Sequence, residues 1–251
     1  MAGPVVGGAL SVVSLRAPLI IYGFLLIAAS ASGAILLRNS VLAAKPTAQQ
    51  ERQTITIKSA LSLSPYRSAL IISFITSWVL FGMSRSILPL FMVEEIKVTP
   101  SFMGLGFTIT TIINGLFLLR AGKLSDLNGR RYSAVIGTSF VTLSIFALAF
   151  TTAPWHFIAA SVIVGFGGAF LSTTPSAIVG DVLEGKGGQV IGLFQMSGDA
   201  GAMVAPIILG FISDHYGYKP AFLATAALMS VAVLVATKLP ETRTSHLGQS
   251  Q

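Results

Sequence analysis

The chain has 251 residues, of which 53% are hydrophobic and 10% charged, with a formal net charge of +7 and a mean hydropathy of +0.80. That balance excludes a water-soluble globule of this size. The absence of cysteine excludes a disulfide framework and any Cys-based metal site.

Uncharged or nearly uncharged stretches of about twenty residues recur, the length an α-helix needs to cross roughly 30 Å of hydrocarbon. Segments such as IIYGFLLIAA and ALMSVAVLVA are apolar on every side, unlike the alternating strands of a membrane barrel, so the spans are read as helices. Residues 1–12 look like a helix cut short, and the first complete span covers 18–37. The small residues AASASGA at 28–34 offer a leader-cleavage reading, but the apolar run resumes at Ile35, Leu36 and Leu37. Residues 38–66 are polar and basic, with Pro46 and Pro65, and read as a linker tolerant of change.

The second span, 67–91, carries Ser73, Ser77 and Ser84 on one helical face, with Arg85 six residues from its end. The third, 102–120, clusters Thr110, Thr111 and Asn114; the fourth covers 133–152. In the fifth, 155–180, Ser161, Gly165, Gly168 and Ser172 form a small-residue stripe suited to close helix packing, and Pro175 predicts a kink. The sixth, 189–212, holds Asp199 near its middle and Gln195 one turn before; the seventh spans 219–238, and 239–251 is a tail.

Of the sixteen Lys and Arg residues, twelve fall in alternate connections, three fall on the other side (Arg16, Lys97 and Lys219), and Arg85 lies inside a span. This asymmetry predicts a cytoplasmic 38–66 loop and C-terminus, and it accounts for the net charge without nucleic acid. GDVLEGKG at 180–187 has phosphate-loop spacing, but Gly187 replaces the required hydroxyl residue and no strand precedes it. His156, His215 and His246 stand in connections or the tail, so neither a catalytic nor a metal site is expected.

Residues 1–18, MAGPVVGGALSVVSLRAP, align with 203–220, MVAPIILGFISDHYGYKP: Pro4, Gly8 and Pro18 fall on Pro206, Gly210 and Pro220. An internal repeat of about 200 residues is the mark of transporters built from two similar helical halves. On that pattern the chain holds the end of one half (1–37), the 38–66 linker, a complete six-helix half (67–238) and the 239–251 tail. Met1 then lies inside a helix.

Three stretches carry a family resemblance. GPVVGG at 3–8 resembles the antiporter glycine-proline motif, through Gly3, Pro4, Gly7 and Gly8. GKLSDLNGRR at 122–131 matches the G-x-x-x-D-x-x-G-[RK]-[RK] loop, through Gly122, Asp126, Gly129, Arg130 and Arg131. LPETR at 239–243 matches a common exit from the last helix. Together the chain resembles the C-terminal two-thirds of a major facilitator superfamily transporter, near the drug/proton antiporter branch. The resemblance implies an all-α membrane bundle, here about seven complete helices plus a truncated first, in a cell membrane. It implies a non-enzymatic, proton-coupled exporter of small organic compounds, with no cofactor. An importer of sugars or metabolites and a non-transporting remnant are the alternatives.

The resemblance makes Asp126 and Arg130 a gating latch; resting of the arginines on lipid phosphates is the simpler reading. Within the spans, ionisable residues are costly unless they face a bundle interior or water. Asp199 with Gln195 is therefore expected as a buried carboxylate that takes up and releases a proton, or as a hydrogen-bonded structural acid. Arg85 and Asn114 are expected to face the substrate path, against snorkelling for Arg85 and helix-to-helix bonding for Asn114.

Overall fold

The computed structural model describes residues 17–37, 55–183 and 187–241. It divides into two units, Met1–Thr54 and Ile55–Gln251. In the first, α1 (Ala17–Leu37) is a 21-residue helix whose described apolar stretch is Ile20–Gly33. The truncated helix expected over 1–12, with Gly3, Pro4, Gly7 and Gly8, lies outside the described residues, and so does the pairing of Pro4 with Pro206.

In the second unit six helical segments are long and apolar enough to cross a membrane: Ser64–Glu94, Pro100–Asn128, Arg130–Leu148, Pro154–Leu183, Gly188–Tyr216 and Tyr218–Thr237. Short connections make successive spans antiparallel, a helical bundle with no strand among the described residues. Side-chain bonds tie the two ends. At one, the Tyr66 hydroxyl donates to the Val190 carbonyl at 2.8 Å, and Arg130 meets Asp181 and Glu241. At the other, the Tyr218 hydroxyl donates to Glu94 and Lys219 lies 4.6 Å from the centre of the Phe150 ring. The first end carries Lys58, Arg67, Arg120, Lys123, Arg130, Arg131 and Lys238; the second carries Lys97 and Lys219. We call the first the basic end.

The bundle begins earlier than composition suggests. A short helix α2 (Ile57–Ser62), capped by the Thr56 side chain, precedes α3 (Ser64–Ser77), and Ala60 of α2 is fully buried. The end of the expected linker is thus part of the bundle. Its Ala60 contact will not tolerate change.

The span read as one helix over 67–91 is broken. After α3 a π-helical turn (Trp78–Met83) leads to α4 (Ile87–Glu94). The hydroxyls of Ser84 and Ser86 take the carbonyls of Val79 and Gly82 at 2.9 and 2.7 Å, and Pro89 cannot donate to the carbonyl of Arg85. The wider turn also moves Ser84 off the face shared by Ser73 and Ser77. Those two face Gly198 of α9 (Gly188–Tyr216), whereas Ser84 lines a cavity described below.

Helix α5 (Pro100–Asn128) starts at Thr99, whose hydroxyl accepts the Phe102 N–H, and runs through most of the GKLSDLNGRR motif. Only Gly129, at φ +98°, makes the reversal into α6 (Arg130–Leu148). The other motif glycine, Gly122, is helical with open space where a Cβ would stand and takes no part in the reversal. The next span bends as predicted: α7 (Pro154–Leu171) and α8 (Thr174–Leu183) meet beside Pro175, and Ser172 donates to the Gly168 carbonyl at 2.7 Å. Helix α10 (Tyr218–Thr237) completes the bundle.

Missing side chains set the helix spacing. A Cβ on Gly165 of α7 would lie 2.7 Å from the Thr110 carbonyl oxygen of α5, and one on Gly201 of α9 would collide with the Phe74 carbonyl of α3. The stripe predicted on α7 therefore packs against α5, where Thr110 also donates to the Ser161 carbonyl at 3.1 Å. Replacing Gly201 by Ala should lower stability by about 1–3 kcal/mol through overpacking. Gly192→Ala on the same helix, where nothing lies within 4 Å, should be neutral or stabilise by up to about 1 kcal/mol. Thermal unfolding in detergent, followed by far-ultraviolet circular dichroism, measures both.

Candidate functional site

Two features can do chemistry or move solutes. The first is a charge cluster at the basic end. Gly129 leaves α6 starting abruptly, with its first N–H groups unpaired by the helix itself. Glu241, from the LPETR stretch, accepts from the N–H groups of Arg130 and Arg131 at 2.8 and 3.4 Å, a carboxylate placed where the helix dipole favours one. The site at which Gly129 would carry a Cβ is filled by that carboxylate, so glycine is required by space as well as by φ.

The Arg130 guanidinium then bridges two helices. It pairs with Asp126, one turn back on α5, and with Asp181 on α8 at 2.9 Å, and it donates to the Ser125 hydroxyl at 3.1 Å. The side chains of Arg130 and Asp181 are 15% and 20% exposed, against 67% for Asp126, so the Asp181 contact is the better shielded. One residue thus links α5, α6, α8 and the segment after α10. The sequence reading placed Asp126 and Arg130 together; it missed Asp181 and gave Glu241 no role. The available signals were a carboxylate closing the fifth span and the acidic residue of LPETR.

The second feature is a cavity of about 480 Å³ among the π turn, α4, α5 and α7. Its walls are mostly apolar, including Val79, Met83, Phe107 and Phe157, with Ser84, Arg85, Thr110, Thr111 and Ser161 as polar members. Arg85 is exposed, its guanidinium 5.0 Å from the centre of the Phe81 ring, and it forms no ion pair among the described residues.

The four path residues are not brought together. Arg85 lines the cavity. Asn114 lies against α7, its amide nitrogen 3.5 Å from the Ser172 hydroxyl, and is not part of the cavity wall. Asp199 and Gln195 share a face of α9, as expected, but that face is exposed. The expectation of a buried carboxylate is therefore corrected: Phe194, Gly198 and Gly201 are the residues α9 buries, and Asp199 lies on the other side of the helix. The neighbouring Ser197 is turned to α3 instead, where its hydroxyl donates to the Leu70 carbonyl at 2.8 Å. No group of His, Cys, Asp and Glu able to hold a metal occurs among the described residues.

Six antiparallel apolar helices, four of them contributing to a solute-sized cavity and the bundle tied at one end by a charge cluster, define a multi-pass helical membrane protein. The family model described as Major Facilitator Superfamily matches residues 70–251, and the chain belongs to that superfamily of membrane transporters. It is similar to the multidrug resistance protein MdtG of Yersinia enterocolitica, 28% identical over 154 residues, covering 59% of this chain and 37% of the relative. It is also similar to the protein of that name from Salmonella arizonae, 26% identical over 160 residues, covering 62% of this chain and 39% of the relative. The chain spans about two fifths of the length of the curated relatives it matches.

The shielding of the Arg130 pairs sets their relative worth. Asp126→Asn should cost less than about 1 kcal/mol of stability, as exposed pairs do. Asp181→Asn should cost about 1.5–3 kcal/mol, as removal of a hydrogen bond to a charged group does. Thermal melts of the two single variants and the double variant measure the order and the coupling through Arg130.

Proposed function

We propose that the protein works as a secondary transporter that exports small organic compounds in exchange for protons. The observation that carries this reading is the cavity: about 480 Å³ of largely apolar space with a few polar groups, set between membrane-spanning helices. Similarity to relatives named as multidrug resistance proteins supports export over import. No catalytic constellation is assigned, and the protein acts as a carrier, with energy drawn from an ion gradient. We read the 38–66 linker and the 239–251 tail as cytoplasmic in a cell membrane, a reading supported by the excess of Lys and Arg in alternate connections of the sequence.

In this mechanism the Arg130 cluster stabilises one conformation of the basic end, and separating α8 from α6 breaks the Arg130–Asp181 pair. Asp199, on the exposed face of α9, is the proton carrier: it exchanges its proton when that face meets water and carries it when the face is closed off. Arg85 faces the solute.

Everted membrane vesicles containing the protein should take up a fluorescent organic substrate when a proton gradient is imposed, and a protonophore should abolish the uptake. Asp199→Asn should reduce gradient-driven uptake to the level of vesicles lacking the protein while leaving gradient-free exchange of substrate. Undiminished uptake by that variant removes Asp199 from the proton path. Absence of uptake by the wild-type protein overturns the exporter assignment.

A further inference from the structure

The polar groups of the cavity differ in what they offer a ligand. The hydroxyl of Thr110 donates to the carbonyls of Gly106 and Ser161, that of Thr111 to Phe107, and that of Ser84 to Val79. Their protons are thus committed to backbone, and each presents lone pairs to the cavity. Ser161 differs: it is buried at 5% exposure, lines the cavity, and its hydroxyl forms no hydrogen bond among the described residues. Arg85 supplies the other free donors and the cavity's one charge. No carboxylate lines the cavity to neutralise it.

We propose that this cavity is a binding site for amphipathic organic anions, with the acidic group held by Arg85 and Ser161 and the apolar body packed against Met83, Phe107 and Phe157. The inference rests on the reading of the protein as a solute transporter and adds the charge class of the solute. A sulfonate or carboxylate matches the planar fork of a guanidinium and gains a second donor from Ser161. A cation of the same shape meets Arg85 with no compensating acid in the cavity wall. The Phe81 ring engages the guanidinium through its π face, 5.0 Å from its centre, a contact that leaves the N–H edges for the anion.

The test uses the 251-residue chain in phosphatidylcholine nanodiscs, titrated calorimetrically with naphthalene sulfonate and with naphthyl trimethylammonium, with heats from empty discs subtracted. The sulfonate should bind saturably at one site per chain, and the trimethylammonium compound should not. Equal saturable binding of the two by wild type overturns the proposal without any variant. Arg85→Gln should weaken the sulfonate at least about tenfold, the equivalent of one lost charge-assisted contact, and Arg85→Lys, which keeps the charge but loses the fork and the stacking on Phe81, should fall between Arg85→Gln and wild type. Unchanged affinity in Arg85→Gln, with an unchanged thermal transition, also overturns it. A lipid headgroup is the other source of such an anion. Loss of sulfonate binding in discs containing phosphatidylglycerol, beyond the few-fold effect of surface charge, would assign the cavity to lipid and overturn the solute site. Anion binding without gradient-driven uptake would sink the exporter reading alone. Uptake with no preference for anions would sink this one alone.

Discussion

Helices in lipid are not driven together by the hydrophobic effect, because the acyl chains are as apolar as the side chains, so the bundle depends on backbones coming close enough to touch. Three glycines make that possible. Gly165 lets α7 lie on the Thr110 carbonyl, Gly201 lets α9 lie on the Phe74 carbonyl, and Gly82 lets the π turn lie on α9. The last contact combines two backbone irregularities. Pro206 removes the donor that would bind the Ala202 carbonyl within α9, and that oxygen would lie 3.2 Å from a Cβ on Gly82. A carbonyl without its helical partner is thus met by the one residue type that leaves room for it.

The same constraint shapes the cavity. Because the span Ser64–Glu94 approaches α9 along Ser73, Ser77 and Gly82, it does not remain a straight helix with Ser84 on that face as well. The π turn resolves the conflict by rotating everything beyond it, and the residues so rotated, Ser84 and Arg85, become the polar wall of the cavity. A local irregularity in backbone winding therefore decides where the single charge of the cavity stands. π turns inside helices mark functional positions often enough for this placement to be unsurprising.

Much of this was legible in the sequence. Span number and extent in the second unit followed from hydropathy and length, the bend at Pro175 from proline's missing donor, and the stripe on α7 from spacing. Arg85 was legible as an intramembrane charge, Asp126 with Arg130 as a four-residue helical pair. What was not legible needed three dimensions. The winding of a helix after a π turn depends on a neighbour, here Gly82 against Ala205, and no periodicity within residues 67–91 announces it. Asp199 was placed by depth, which sequence gives; its exposed side of α9 depends on which face meets α3, which sequence does not give when Gly198 and Gly201 rather than large apolar residues form the contact. Asp181 and Glu241 join Arg130 from 51 and 111 residues away, separations at which spacing carries no information.

The two functional features lie at different depths, and their chemistry differs accordingly. The Arg130 cluster stands at a helix terminus and grades its contacts by exposure: the Asp126 pair, with its aspartate 67% exposed, can break and re-form at small cost, while the Asp181 pair is shielded and costs more to part. Arg85 stands within a span, where losing a partner is expensive and gaining one is correspondingly favourable. A carrier needs both kinds of site: contacts that exchange freely where the protein must change shape, and contacts that discriminate where it must choose a solute. Among the described residues the arginine–carboxylate pairs stand at the basic end and the cavity arginine has none, so the first set of charges is already matched within the bundle and the second is left to a ligand.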